Sequence, residues 1–483
     1  MGKFIFLLIV ALGFLLRAQE TLSGNFLFLL DQGRDMMAVK SIVYDHHLTL
    51  IGPYTSLQGV FQGPFWYYLL GAATFLTGGN PWGGVLLSLI ISMATLVVAF
   101  LFAKKLFGLK AAFITMFLLA VCPEAVAAAT YAWNPHSMWL LLTIYIFSFY
   151  LLLEGKKKFH FVVWPTIALM FSFQTALGVF VFISSIVYLL VFGRKLFTKR
   201  EFGIGILVFI LLLSPQILFD LRHGFLMSKS ILNLFLGSSS SAGSLATTFK
   251  DHFYGFQVNF NTSFNGLIFS GVAFYLLVSS VLFGRFTKFL SNKEYRFVAL
   301  CVRLVLIIFL LSLLYQSPLR AWFLTGFEVF FLFPLGVILA RLWNYAFGKV
   351  LLIILLSITL TIVIPRIYNL YRYPDYGGVA KVKGKLAAID FIYKDAAGKP
   401  FNLLVFTPPV NTDAYDYLIW LRAKNVYGYM PGTQKKGSFY LLIEPDSSQP
   451  WTYKGWLETV IKSGEIISTT ELPSGLIVQK RKE

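Results

Sequence analysis

Eleven apolar stretches of about the length that crosses a ~30 Å hydrocarbon core dominate the chain. They fall at residues 4–18, 82–103, 109–125, 136–153, 159–175, 177–193, 203–219, 264–284, 298–315, 321–340 and 348–365. So much apolar surface has no soluble solution. Of the 483 residues 57% are hydrophobic and only 13% charged, and mean hydropathy is +0.72, whereas a soluble domain carries about 25% charged residues. Disordered, collagen-like and soluble α/β chains are excluded, and a polytopic membrane protein is expected.

The formal charge of +19 would suit nucleic acid, but its distribution argues against that partner. The basic residues gather in short clusters between apolar stretches: Lys104, Lys105 and Lys110; Lys156–Lys158; Arg194, Lys195, Lys199 and Arg200; Arg285, Lys288, Lys293 and Arg296; Arg341 and Lys349. With eleven spans all five clusters and Lys3 share the N-terminal side, which the positive-inside rule makes cytoplasmic. Counting residues 63–78 as a twelfth span would put every later cluster outside. That segment is therefore expected to lie on or dip into the outer leaflet, its aromatics at headgroup depth. The first stretch lacks a small-x-small cleavage site at Leu16-Arg17-Ala18-Gln19 and reads as an uncleaved anchor.

Three regions then face outward: a loop of 19–81, a loop of 220–263 and a tail from about 366. Phe401–Thr407, Ser438–Ile443 and Gly475–Gln479 read as strands, and 379–395, 412–424 and 452–463 as helices, giving a small α/β domain. Ser238–Ser241 reads as a flexible loop tip. Cys122 and Cys301, both in apolar stretches, are expected as buried free thiols.

Charges beside a membrane are costly and draw attention. Asp31, Arg34 and Asp35 open the first outer loop at a spacing that shares one helix face. Either Asp31 is an N-cap with Asp35 in the first turn, or a carboxylate base stands beside an anion-binding arginine. Gly52-Pro53-Tyr54 and Gly63-Pro64-Phe65-Trp66-Tyr67-Tyr68 would build an aromatic wall, an interfacial belt or a surface for a sugar ring. Glu328 is the deepest acid and has Arg303 or Arg320 as potential partners. Asp220-Leu221-Arg222 ends a stretch as an ion pair or as a contact to acceptor or phosphate. His46 and His47 are adjacent and His136, His160 and His252 solitary, so no metal is expected.

The runs LLDQGRDMMAVKSIV, GPYTSLQGVFQGPFWYYLLG, AWNPHS and SPQILFDLRHGF resemble the protein O-mannosyltransferase and lipid A aminoarabinose transferase branch of the GT-C glycosyltransferases, over about residues 1–370. The resemblance implies an all-α polytopic fold of GT-C type, residues 1–366, with an extracytoplasmic α/β domain at 367–483. It implies transfer of a sugar from a polyprenyl phosphate to a glycan, lipid or protein acceptor outside the cytoplasmic membrane, with no cofactor. By motif Asp31 maps to the catalytic base and Arg34 to the donor phosphate. Many relatives have a second acid where this chain reads Trp133-Asn134-Pro135, and Asn134 can only orient an acceptor or a water. Others place a phosphate-binding Lys where this chain has Gln62-Gly63-Pro64, which shifts that charge to Arg34 or Arg320. Asp35, Tyr67, Trp133, Asn134, Arg222 and Glu328 complete the set expected to meet substrate. Two other functions are weighed against this one: a transporter or flippase of lipid-linked glycans, and a non-catalytic envelope scaffold. The charge concentrated in one outer loop, without internal repeats, favours the enzyme.

Overall fold

The computed structural model describes residues 2–196, 199–236, 244–284, 287–315, 317–374, 377–408 and 410–483. The expected loop tip Ser238–Ser241 and the cluster member Arg285 lie outside these residues. All eleven apolar stretches fall on helices. Six helices, beginning with Trp82–Phe107 and ending with Ala346–Arg372, are long and apolar enough to cross a membrane alone. A seventh span arises if Leu245–Thr262 and Leu267–Phe283, bent by 110° at their break, act as one.

The eleven expected crossings are thus not matched one for one. Helices such as Leu109–Val121 and Val329–Leu342, of 13 and 14 residues, rise only about 20 Å at 1.5 Å per residue. Short helices Pro123–Ala127 and Ala321–Leu324 continue two of them. Arg17, fully buried at the end of the first helix, holds the bundle together there. Its guanidinium donates to the Leu119 and Ala120 carbonyls at 2.9 and 2.6 Å, using the orphan acceptors of a helix end.

The segments expected to face outward are more ordered than loops. Residues 220–263 hold the helices Leu226–Leu236 and Leu245–Thr262, and Asp220 caps the former by accepting from Met227 N–H at 2.6 Å. Asp220 therefore does not pair with Arg222, whose side chain is exposed. The first outer loop carries Leu30–Val43 and Phe65–Phe75. The latter, 11 residues long, is too short to cross, and its aromatics do not form a lipid-facing belt throughout: Trp66 and Tyr67 are buried inward.

The tail forms a four-stranded sheet, β1 (Asn402–Phe406), β2 (Ser438–Ile443), β3 (Glu465–Glu471) and β4 (Ile477–Lys482), in the order β1-β2-β4-β3. β1 and β2 are parallel, joined through the helix Asp413–Arg422, and β4 runs antiparallel to both its neighbours. The tail packs directly on the segment 19–81. Phe28 N–H donates to the Ala380 carbonyl and Val382 N–H to that of Phe26, both at 3.0 Å. A Cβ on Gly33 would stand 2.3 Å from the Ala414 nitrogen, so helices Leu30–Val43 and Asp413–Arg422 meet backbone to backbone. Cys122 and Cys301 are buried and free, as expected.

Candidate active site

Helix Leu30–Val43 is capped by Leu29 rather than Asp31: the Gln32 carboxamide accepts from the Leu29 N–H at 3.0 Å. Asp31 is thereby released from capping. Arg34 Nη1 pairs with Asp31 Oδ1 at 2.9 Å, and its Nε and Nη2 donate to Asp35 Oδ1 at 2.9 and 2.7 Å. The i,i+3 spacing read from the sequence produces this contact.

The two carboxylates differ. The Asp35 residue is 1% exposed, and Trp66 Nε1 donates to its Oδ2 at 2.7 Å, so both oxygens are engaged. Burial pushes its carboxyl up to about 6, against the lowering effects of Arg34 and the indole. Asp31 has a side chain 39% exposed, and Arg34 is its one ion-pair partner among the described residues. Tyr54 covers the Arg34 guanidinium, ring centroid 4.7 Å from Cζ, and Tyr67 lies against Arg34 and Asp35. Arg34 is thus neutralised by two acids and covered by an aromatic face.

Gln32 Nε2 donates to the Ala132 carbonyl at 3.3 Å, tying this helix to the turn bearing Tyr131 and Trp133. The Tyr131 phenol is pushed up to about 12 by burial and by the carboxylates of Glu124 and Asp31. That turn is the rim of a cavity of about 680 Å³, within the range of small-molecule sites. Trp133, Arg320, Trp322 and Glu328 line it with Tyr131 and Glu124. Tyr131 and Trp133 stack with centroids 6.2 Å apart. Arg320 is exposed beside the Trp322 ring, 5.8 Å from Cζ to centroid, and has no ion pair among the described residues.

Glu328 does not pair with Arg303 or Arg320. Asn259 Nδ2 donates to its Oε1 at 2.7 Å, while Oε2 has no hydrogen-bond partner among the described residues. Two further lining residues, Trp139 and Asn259, also carry buried polar atoms without partners among the described residues. Unpaired buried polar groups are uncommon, and their concentration around one cavity marks a place where a polar ligand would complete the network.

The structure therefore brings Asp31, Arg34, Asp35 and Tyr67 into one group and Trp133, Arg320 and Glu328 around the adjoining cavity. Two expected residues stand apart. Asn134 is buried and donates to the Phe173 carbonyl at 2.7 Å, and Arg222 is exposed and does not line the cavity. Gln62 accepts from Thr175 N–H and Oγ1 at 2.8 and 2.9 Å, a clamp between segments. Sequence reading missed Glu124 and Asn259. Glu124 closes an apolar stretch just after Cys122-Pro123, a placement that singles it out as Glu328 was singled out; Asn259 had no such signal.

Residues 62–219 match the family model described as dolichyl-phosphate-mannose-protein mannosyltransferase. The matched third of the chain contains Tyr67, Trp133 and Asn134 but not Asp31, Arg34 or Arg320. ArnT from Cupriavidus metallidurans, solved bound to undecaprenyl phosphate, has the same fold at TM-score 0.62 and 13% identity, over 99% of this chain and 97% of that one. The archaeal oligosaccharyltransferase AglB from Archaeoglobus fulgidus, solved with an inhibitory peptide and a dolichol-phosphate, aligns at TM-score 0.53 and 10% identity, over 100% of this chain and 74% of that one. The GT-C fold expected from the sequence is the fold found. No curated protein matches the chain by sequence.

Proposed function

From a GT-C fold carrying a mannosyltransferase-family domain, we propose that the protein is an integral-membrane inverting glycosyltransferase. It moves a sugar from a polyprenyl-phosphate donor to a hydroxyl acceptor on the outer side of the cytoplasmic membrane. The N-terminus lies in the cytoplasm, and the tail, 367–483, forms an outer domain seated on the transferase domain, 1–366, where it braces the Asp31 helix.

The observation that carries this reading is the partly exposed Asp31 carboxylate, close enough to act on the Tyr131 phenol, with Tyr131 and the uncompensated Arg320 both on the wall of one cavity. Asp31 takes the proton of the acceptor hydroxyl, and that oxygen attacks the anomeric carbon. The bond from that carbon to the phosphate oxygen breaks, leaving the lipid phosphate to Arg320, whose planar fork suits phosphate oxygens. A single displacement inverts the anomeric centre. Arg34 serves Asp31 more than phosphate: between two acids it holds the base in one rotamer. Tyr131, Trp133 and Trp322 supply faces for the sugar ring.

The test is turnover in proteoliposomes supplied with undecaprenyl phosphate-linked, radiolabelled hexoses and pentoses. The expected result is release of undecaprenyl phosphate and label in a water-soluble or acceptor-bound product. Movement of intact labelled lipid across the bilayer without cleavage would replace the enzyme by a flippase.

A further inference from the structure

A second cavity, of about 560 Å³, lies at the other end of the bundle, between Tyr150, Tyr188, Phe192, Tyr295, Arg296 and Arg303. The helix Asn134–Leu153 runs from one to the other: Trp139 lines the first cavity and Tyr150 the second, about 16 Å apart along its axis. Nothing in the transfer reaction uses it.

Its chemistry centres on Arg303. The residue sits within the helix Asn292–Ser312, about 16 Å along the axis from its start. An arginine at such a position is costly and calls for a partner. The acid that lines the cavity, Glu154, is taken by Arg296 at 3.1 Å. Among the described residues the Arg303 guanidinium makes one hydrogen bond, from Nη1 to the Tyr188 hydroxyl at 3.4 Å. Its Cζ lies 4.7 Å from the centroid of the Phe192 ring, a packing that leaves most N–H groups of the fork unused.

The rim identifies the kind of ligand. Leu190, Val191 and Phe192 are exposed apolar residues ending the span Thr175–Phe192, so the cavity opens beside a surface that faces acyl chains. The Tyr150 and Tyr295 hydroxyls donate to the Lys293 and Val281 carbonyls, but a largely unused charged fork beside the Tyr188 hydroxyl, reached past apolar side chains, fits an anionic headgroup on an apolar tail. We propose that this cavity binds the phosphate of a membrane lipid, held by Arg303, in the leaflet opposite the transfer site. A phospholipid and a polyprenyl phosphate share this chemistry.

The experiment uses the full chain in the Arg320→Ala background, so that donor binding at the transfer site does not contribute. The protein is reconstituted in phosphatidylcholine nanodiscs with equal minor fractions of phosphatidylglycerol and undecaprenyl phosphate. Retained lipids are counted by native mass spectrometry. One or both phosphate lipids should be enriched over phosphatidylcholine, and Arg303→Gln should lower that retention about tenfold or more, with Arg303→Lys between. Preference for phosphatidylglycerol assigns a phospholipid site, and preference for undecaprenyl phosphate a carrier site. Equal retention by Arg303→Gln, or no preference over phosphatidylcholine, overturns the proposal. A photoreactive phosphatidylglycerol and a photoreactive undecaprenyl phosphate are also applied to the unaltered protein, a readout that needs no folded variant: at least one should crosslink at Thr175–Phe192, and crosslinks of both found only elsewhere overturn the proposal too.

Discussion

The helix Leu30–Val43 and the wall of the adjoining cavity differ in how far their polar groups are satisfied. On the helix, one arginine serves two carboxylates, an indole completes the inner one, and a tyrosine covers the cation. On the wall, among the described residues, Arg320 has no acid and Glu328, Asn259 and Trp139 keep atoms without partners. The first region is complete without a ligand; the second is not. Preorganised charge costs no reorganisation when a reaction begins, whereas unpaired groups have their partners only in a complex. We read the helix as the part that acts and the wall as the part that recognises.

The sharpest way to break this contrast is Asp31→Asn. The substitution keeps shape and removes the base, so the transfer rate should fall at least ~10²-fold while donor binding persists. Arg320→Ala strikes the other region and should weaken donor binding about 10- to 100-fold, the value of a charge-assisted hydrogen bond. Arg320→Lys should restore part of it. Binding isotherms with undecaprenyl phosphate check both variants, and a wild-type isotherm for Arg320→Ala would remove that residue from the site.

Gly33→Ala probes how the tail supports the helix. The new Cβ would press on the backbone of Asp413 and Ala414, a clash of the kind that costs about 1–3 kcal/mol. Thermal unfolding in detergent should shift down, with a smaller loss of rate than Asp31→Asn causes.

The last effect is a pH dependence. The folded-state carboxyl of Asp35, pushed by burial up to about 6, holds a proton that the unfolded chain releases near its ordinary 3.8. Stability should therefore decline as pH rises between those values and level off above them. Asp35→Asn should remove that part of the unfolding midpoint-against-pH curve; an unchanged slope would assign it to another group.

Much of the fold was legible because hydropathy is a strong signal: every apolar stretch became a helix. Helix length was less legible, since ends such as Leu342 and Val121 are set by packing rather than by composition. The helix Leu245–Thr262 was read as loop because Lys250, Asp251 and His252 interrupt an apolar pattern carried at helical spacing by Phe249, Phe253 and Phe256. Strand β3 was missed because it is an exposed edge strand without inward alternation. Within the candidate site, local spacing carried the Asp31–Arg34 pair. It could not carry Trp66 on Asp35 or Tyr54 over Arg34, which the folded first loop brings in from about 20 to 30 residues away. The cavity joins Glu124 to Glu328, about 200 residues apart in the chain, and only tertiary packing makes that arrangement.

A cryo-electron microscopy map of the Asp31→Asn protein with an undecaprenyl phosphate-linked sugar tests the central claim most directly, because a base-free enzyme should keep its donor intact. The account predicts the phosphate within hydrogen-bond reach of the Arg320 guanidinium and the sugar in the cavity beside Tyr131 and Trp133, with residue 31 facing the anomeric carbon. A phosphate seated away from Arg320, or a sugar outside that cavity, would contradict it.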